Sequence, residues 1–186
     1  MSSRFFLALA LIPAALCAAD QAPVRAQPMG EVQNGVYHHN RTGIEFAVPA
    51  DWAIVTHEHS SNGAQMLLLR DTVTNVIGSA WMKARIIDPS HIEAMLDRRL
   101  DAKAAQRNNF EGYRYRAESI QKTTIGGKQA LSAVADYTRA GEQMVEYLTW
   151  VDGEKSRVLF SARMRASEFP AFQARFDAII QSAMVP

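Results

Sequence analysis

The chain has 186 residues, enough for one domain with a core of its own. Hydrophobic residues make up 48% and charged residues 21%, which excludes a wholly disordered or collagen-like chain. Lys plus Arg total 20 against 19 Asp plus Glu, so no global charge draws the chain to nucleic acid or to an anionic membrane, and any docking surface is local.

Residues 1–19 read as a secretory signal peptide. Arg4 gives a positive start, Phe5 to Leu16 is an apolar run broken only by Pro13, and Cys17-Ala18-Ala19 offers small residues for cleavage before Asp20. The run is shorter than the roughly 20 apolar residues that a spanning helix needs. The rival reading is a lipoprotein anchor on Cys17, but Leu16 stands where such signals carry a small residue. Cys17 is the only cysteine, so cleavage after it leaves no thiol, disulfide or thiolate metal site. Residues 20–35, rich in Gln, Pro, Ala and Gly, read as a flexible leader.

The folded domain is expected over residues 36–186. Asn40-Arg41-Thr42-Gly43 is turn chemistry. Ile44, Phe46 and Val48 then alternate with Glu45 and Ala47 as in a half-buried strand, Pro49 ends the ladder, and Trp52 opens the next strand with Ile54 on its face. Thr56 to Gly63 reads as a polar loop. Gln65 to Leu69 and Val76 to Lys83 are apolar on both faces, the pattern of strands covered above and below. A helix follows Asp88-Pro89-Ser90, with Ile92, Met95, Leu96 and Leu100 inward and Arg98, Arg99, Asp101 and Lys103 toward water, and it stops near Asn108-Asn109. A meander then runs through Tyr113 to Ala117, a Gly126-Gly127 hairpin turn, and strands at Gln129 to Thr138, Met144 to Val151 and Arg157 to Met164. A last helix follows Ser167, with Phe169, Phe172, Phe176, Ile179 and Ile180 as its stripe and Pro170 tolerated in the first turn. The expected class is α+β: a central antiparallel sheet of about six or seven strands flanked by helices, an α/β/α sandwich.

The succession of a turn, Thr42-Gly43-Ile44, Phe46, Val48-Pro49, a short corner and Trp52 resembles the PsbP-like family, within the superfamily that includes the Ran-binding nuclear import factor. The order of elements matches to Pro186. What the resemblance implies is an extrinsic accessory or assembly factor docked on a larger complex, with no catalytic residue to carry over.

The residues themselves name little chemistry. His57 and His59 sit two apart, so extended backbone projects both rings to one side, and they are the weak candidates for a metal. A polar loop that carries two histidines is the plainer reading. No nucleophile elbow, zinc-protease motif or phosphate loop occurs. Glu142, Glu146 and Asp152 read as solvated or turn carboxylates. Arg114, Arg116, Arg157, Arg163 and Arg165 alternate with apolar residues as wet strand faces, and Arg114 with Arg116 is the candidate docking face. Trp81, Tyr113, Tyr115, Tyr147 and Trp150 read as core, or as the lining of a ligand groove. The expectation is an exported, periplasmic or secreted, non-catalytic module with a protein partner in the cell envelope, no nucleic acid and no cofactor. The alternatives are a small-ligand or lipid carrier with a pocket between sheet and helix, and an enzyme of unfamiliar type.

Overall fold

The computed structural model describes residues 29–59, 63–84 and 92–186. The expected signal peptide, the Cys17 anchor site and the Asp88-Pro89-Ser90 helix cap lie outside them.

Among the described residues, two antiparallel sheets and two long helices make up the fold. A small sheet contains β1 (Gly30–Gln33), β2 (Val36–His39) and β3 (Glu45–Ala47), in that order. Composition placed Gly30–Gln33 in the leader. It is a strand because Asn34 and Gly35, both at positive φ, turn the chain tightly enough for Gln33 to face Val36.

The large sheet is built from β4 (Trp52–His59), β5 (Gln65–Asp71), β6 (Ile77–Ala84), β7 (Glu111–Tyr115), β8 (Gln121–Ile125), β9 (Lys128–Arg139), β10 (Glu142–Asp152) and β11 (Ser156–Arg165). Its order is β4-β5-β6-β11-β10-β9-β7, with β8 paired to the near end of β9. Eight strands replace the six or seven expected. Strand β8 escapes a pattern reading because only Ile125 of its five residues is buried. The loop expected from Thr56 is also strand: Thr56 pairs with Leu68 and His57 with Leu67, after a register shift between Ile54 and Thr56 that breaks the alternation.

Helices α1 (Ile92–Gln106) and α2 (Phe169–Gln181) lie on opposite faces of this sheet. All five residues of the expected stripe on α2 are buried. Phe176 sits over Gly78, where a Cβ would come within 2.7 Å of its ring, and Trp52 stacks on Phe176 at 5.8 Å between centroids. Arg175 ties α2 to the sheet from its rim, donating to Asp71 on β5 at 2.7 Å and to Asp51 at 2.6 Å. The segment after α2 is a strap. Met184 and Glu45 exchange backbone hydrogen bonds of 2.9 and 3.0 Å, and the Pro186 carbonyl accepts from the Lys155 and Ser156 amides at 3.0 and 3.1 Å. Gly153 admits this close approach, since a Cβ there would lie 2.2 Å from the Pro186 oxygen.

The face opposite α2 is only half covered. Helix α1 packs Ile92 and Leu96 on Leu131, Leu148 and Trp150 of β9 and β10. The outer sides of β5 and β6, expected to be covered, stay open beside it: Met66, Leu68 and Trp81 are half-buried and Ile77 is 42% exposed.

Candidate functional site

The uncovered half of the sheet and the flank of α1 form a groove of about 950 Å³. That volume falls within the range of small-ligand sites, about 300–1,000 Å³. Pairing register sets its floor. Met66, Trp81, Leu159 and Trp150 stand opposite one another across β5, β6, β11 and β10 and make one apolar row. The next row is Leu68, Ser79, Ser161 and Leu148. Its polar atoms satisfy one another: the Ser79 and Ser161 hydroxyls lie 2.9 Å apart, and the Trp81 indole N–H donates to Ser79 Oγ at 3.1 Å. The floor therefore offers little but apolar surface.

The rim is cationic. Lys83, Arg99, Lys103, Arg107, Arg139, Arg157 and Arg163 line the groove, and no carboxylate among the described residues does. Two buried carboxylates beneath it hold three of these cations. Asp152 accepts from Arg99 at 2.6 Å, and Glu146 accepts from Arg107 at 2.9 and 3.1 Å, with Lys103 Nζ at 3.9 Å. Burial pushes the Glu146 carboxyl up, but Arg107, Lys103 and the Tyr113 hydroxyl outweigh it and the group stays below its usual range. Lys103 is lowered to about 8, first by burial and then by Arg107 and Arg163, against the pull of Glu146. Arg99 and Lys103 thus do not face water as their helical spacing suggests; they bolt α1 to β10. Nor are Glu146 and Asp152 solvated: each is 1% exposed.

The remaining cations, Lys83, Arg139, Arg157 and Arg163, form no ion pair with any described residue. Lys83 and Arg157 are directly opposite across β6 and β11. Like charges in that position oppose strand pairing.

The other candidates from the sequence are not gathered into this groove. His57 is exposed on β4 with its ring 5.8 Å from that of Tyr37. The His59 side chain lies outside the described residues, and no group of three metal-ligating side chains occurs among the described ones. Arg114 is exposed on β7. Arg116, its expected partner on a docking face, makes a bidentate pair with Asp136 at 2.7 and 2.9 Å and lies over the Phe169 ring. Of the five aromatics, Trp81 and Trp150 line the groove, Tyr147 is core and bonds to Asp177 on α2, and Tyr113 and Tyr115 brace Glu146 and α1. The sequence signal for the groove was the alternation of Arg157, Leu159, Ser161 and Arg163 on one face of one strand. It became legible only with the neighbouring strands placed.

No family model matches the chain, and no curated protein matches its sequence. Among solved structures, cyanobacterial PsbP (CyanoP) from Synechocystis sp. PCC 6803 superposes with a TM-score of 0.59 at 12% identity, over 81% of this chain and 91% of that one. This chain has a PsbP-like fold. LpqN, involved in cell envelope biogenesis of Mycobacterium tuberculosis, is also similar, with a TM-score of 0.54 and 17% identity over 77% of this chain and 83% of that one. At these identities the likeness is one of fold, and the PsbP-like domain's chemistry has to be read from its own groove. No helix among its described residues is long and apolar enough to cross a membrane.

Proposed function

We infer that this PsbP-like domain is an exported, non-catalytic binding module of the cell envelope, and that the groove beside α1 is its contact surface. The observation that carries the reading is the concentration of seven cations around an apolar floor in a chain whose total charges nearly balance. Ordinary surfaces intersperse the two signs. An apolar centre with a polar rim is the anatomy of a contact surface. The carboxylates beneath the groove are committed to holding α1, and the hydroxyls of its floor to each other, so neither set stands free to act as an acid, base or nucleophile. The envelope role of LpqN and the accessory role implied by the PsbP-like resemblance point the same way.

Photo-crosslinking tests this. A photoreactive side chain at Leu68, on the groove floor, is expected to capture a component of the native envelope, whereas one at Thr124, on the far edge of the sheet, captures nothing. Equal labelling from both positions rejects the groove. A saturable reaction abolished by one substitution in the groove rejects the non-catalytic reading.

A further inference from the structure

Resting on that reading, we propose that the groove binds a single-chain lipid with an anionic headgroup, the headgroup between Lys83 and Arg157 and the acyl chain laid along β6 over Trp81 toward Ile77. The groove has the polarity this ligand needs. Lys83, Trp81, Ser79 and Ile77 share one face of β6, so the surface runs from cation to exposed aliphatic over six residues, about 20 Å at strand rise. One acyl tail spans about half of a bilayer's ~30 Å hydrocarbon core, so tail and headgroup together match that length. Met66 and Leu68 on β5 stand beside Trp81 and Ser79 and widen the apolar track.

The same features disfavour an acidic peptide. The floor is the face of a sheet whose backbone is already paired, so no strand edge is offered. Its hydroxyls and indole N–H satisfy each other, so the amides of an extended peptide would be buried without partners. An alkyl chain makes no such demand. The Lys83–Arg157 juxtaposition also finds its explanation here. Two like charges opposite one another weaken the sheet, and an anion between them relieves the repulsion.

The test is equilibrium binding of myristoyl lysophosphatidate to the purified full chain, below the micellar concentration. Monomyristin keeps the tail without the charge, and glycerol 3-phosphate keeps the charge without the tail. The expected result is one lysophosphatidate per chain, bound about tenfold or more tightly than either control. Lys83→Glu is the decisive variant, because it puts opposite charges across β6 and β11. It is expected to weaken lysophosphatidate about tenfold while raising the unfolding temperature, a pair of effects that misfolding does not produce. Ile77→Asp is expected to weaken binding through the tail, and Lys122→Glu on β8, away from the groove, to leave lysophosphatidate binding unchanged. Equal affinity for monomyristin, unaltered binding by Lys83→Glu, or tighter binding of a hexaglutamate peptide overturns the proposal. If lysophosphatidate fails while the Leu68 crosslink still captures a component, the lipid inference falls and the groove remains the contact surface; if both fail, both fall.

Discussion

His39 lies in the small sheet with its Nδ1 within 2.6 Å of the Thr42 hydroxyl, and it is 2% exposed. Burial lowers its pKa to about 4, against an opposing contact with Gln65. An unfolded histidine titrates near 6.5. Between those values the unfolded chain takes up a proton that the folded one refuses, so stability is whole above pH 6.5 and falls as the pH drops toward 4. Denaturant unfolding at pH 7 and pH 5 is expected to show that loss, up to about 3 kcal/mol across the full window, and His39→Gln to flatten its slope. Arg114 and Arg116 separate at the same scale. Reversing exposed Arg114 to Glu is expected to shift stability by no more than about 0.5 kcal/mol. Arg116→Glu is expected to lower it further, since it sets a carboxylate against Asp136. Equal thermal shifts for the two would mean that the Arg116 pair contributes nothing. Period-2 alternation treats these two arginines alike, and it cannot distinguish a solvated carboxylate from Glu146, whose partner Arg107 stands 39 residues earlier, just past the end of α1.

Among the elements, α2 is the one the sequence describes best. Three Phe and two Ile at helical spacing leave no other face to bury, and the structure buries all five. Phe176→Ala is expected to cost about 3–5 kcal/mol in denaturant unfolding, the range for a fully buried aromatic. Gly78→Ala is expected to be destabilising on its own and much less so once Phe176 is Ala, because the ring is what the new methyl would strike. Additive losses from the two changes would mean that α2 does not seat on that glycine. Helix α1 is the contrasting case. Its apolar stripe is thin, and it is held by Arg99, Lys103 and Arg107, spaced four apart over two buried carboxylates. Spacing alone makes such a row look like a wet face: it sets Ile92, Leu96 and Leu100 inward, as the structure does, but sends Arg99 and Lys103 to water. The open outer side of β5 and β6 was hidden for a related reason: an apolar residue reads the same whether a helix or a ligand covers it.

At the scale of the molecule, both sheets and α2 meet at the strap of residues 183–186. The Ala47 amide donates to the Ser182 hydroxyl across 135 residues of sequence, and Glu45 pairs with Met184. Removing residues 183–186 is therefore expected to loosen the small sheet selectively. Hydrogen exchange at the β2–β3 amides should quicken while β9 and β10 stay protected; uniform protection would show the strap to be dispensable. No local pattern announces this strap, since Ala183-Met184-Val185-Pro186 has neither strand nor helix periodicity and acts only through partners far away in the chain.

That arrangement also sets an order of events. Contacts so distant in sequence form late, after the loops between them have closed. A chain threaded from its amino end through a membrane pore would expose β1, β2 and β3 long before α2 and the strap existed to receive them. Strand β3 would wait, its Glu45 and Ala47 unpartnered on that side, until residues 182–184 arrived. During such a passage the topology would leave β3 without its partners Ser182 and Met184 until the last segment had emerged.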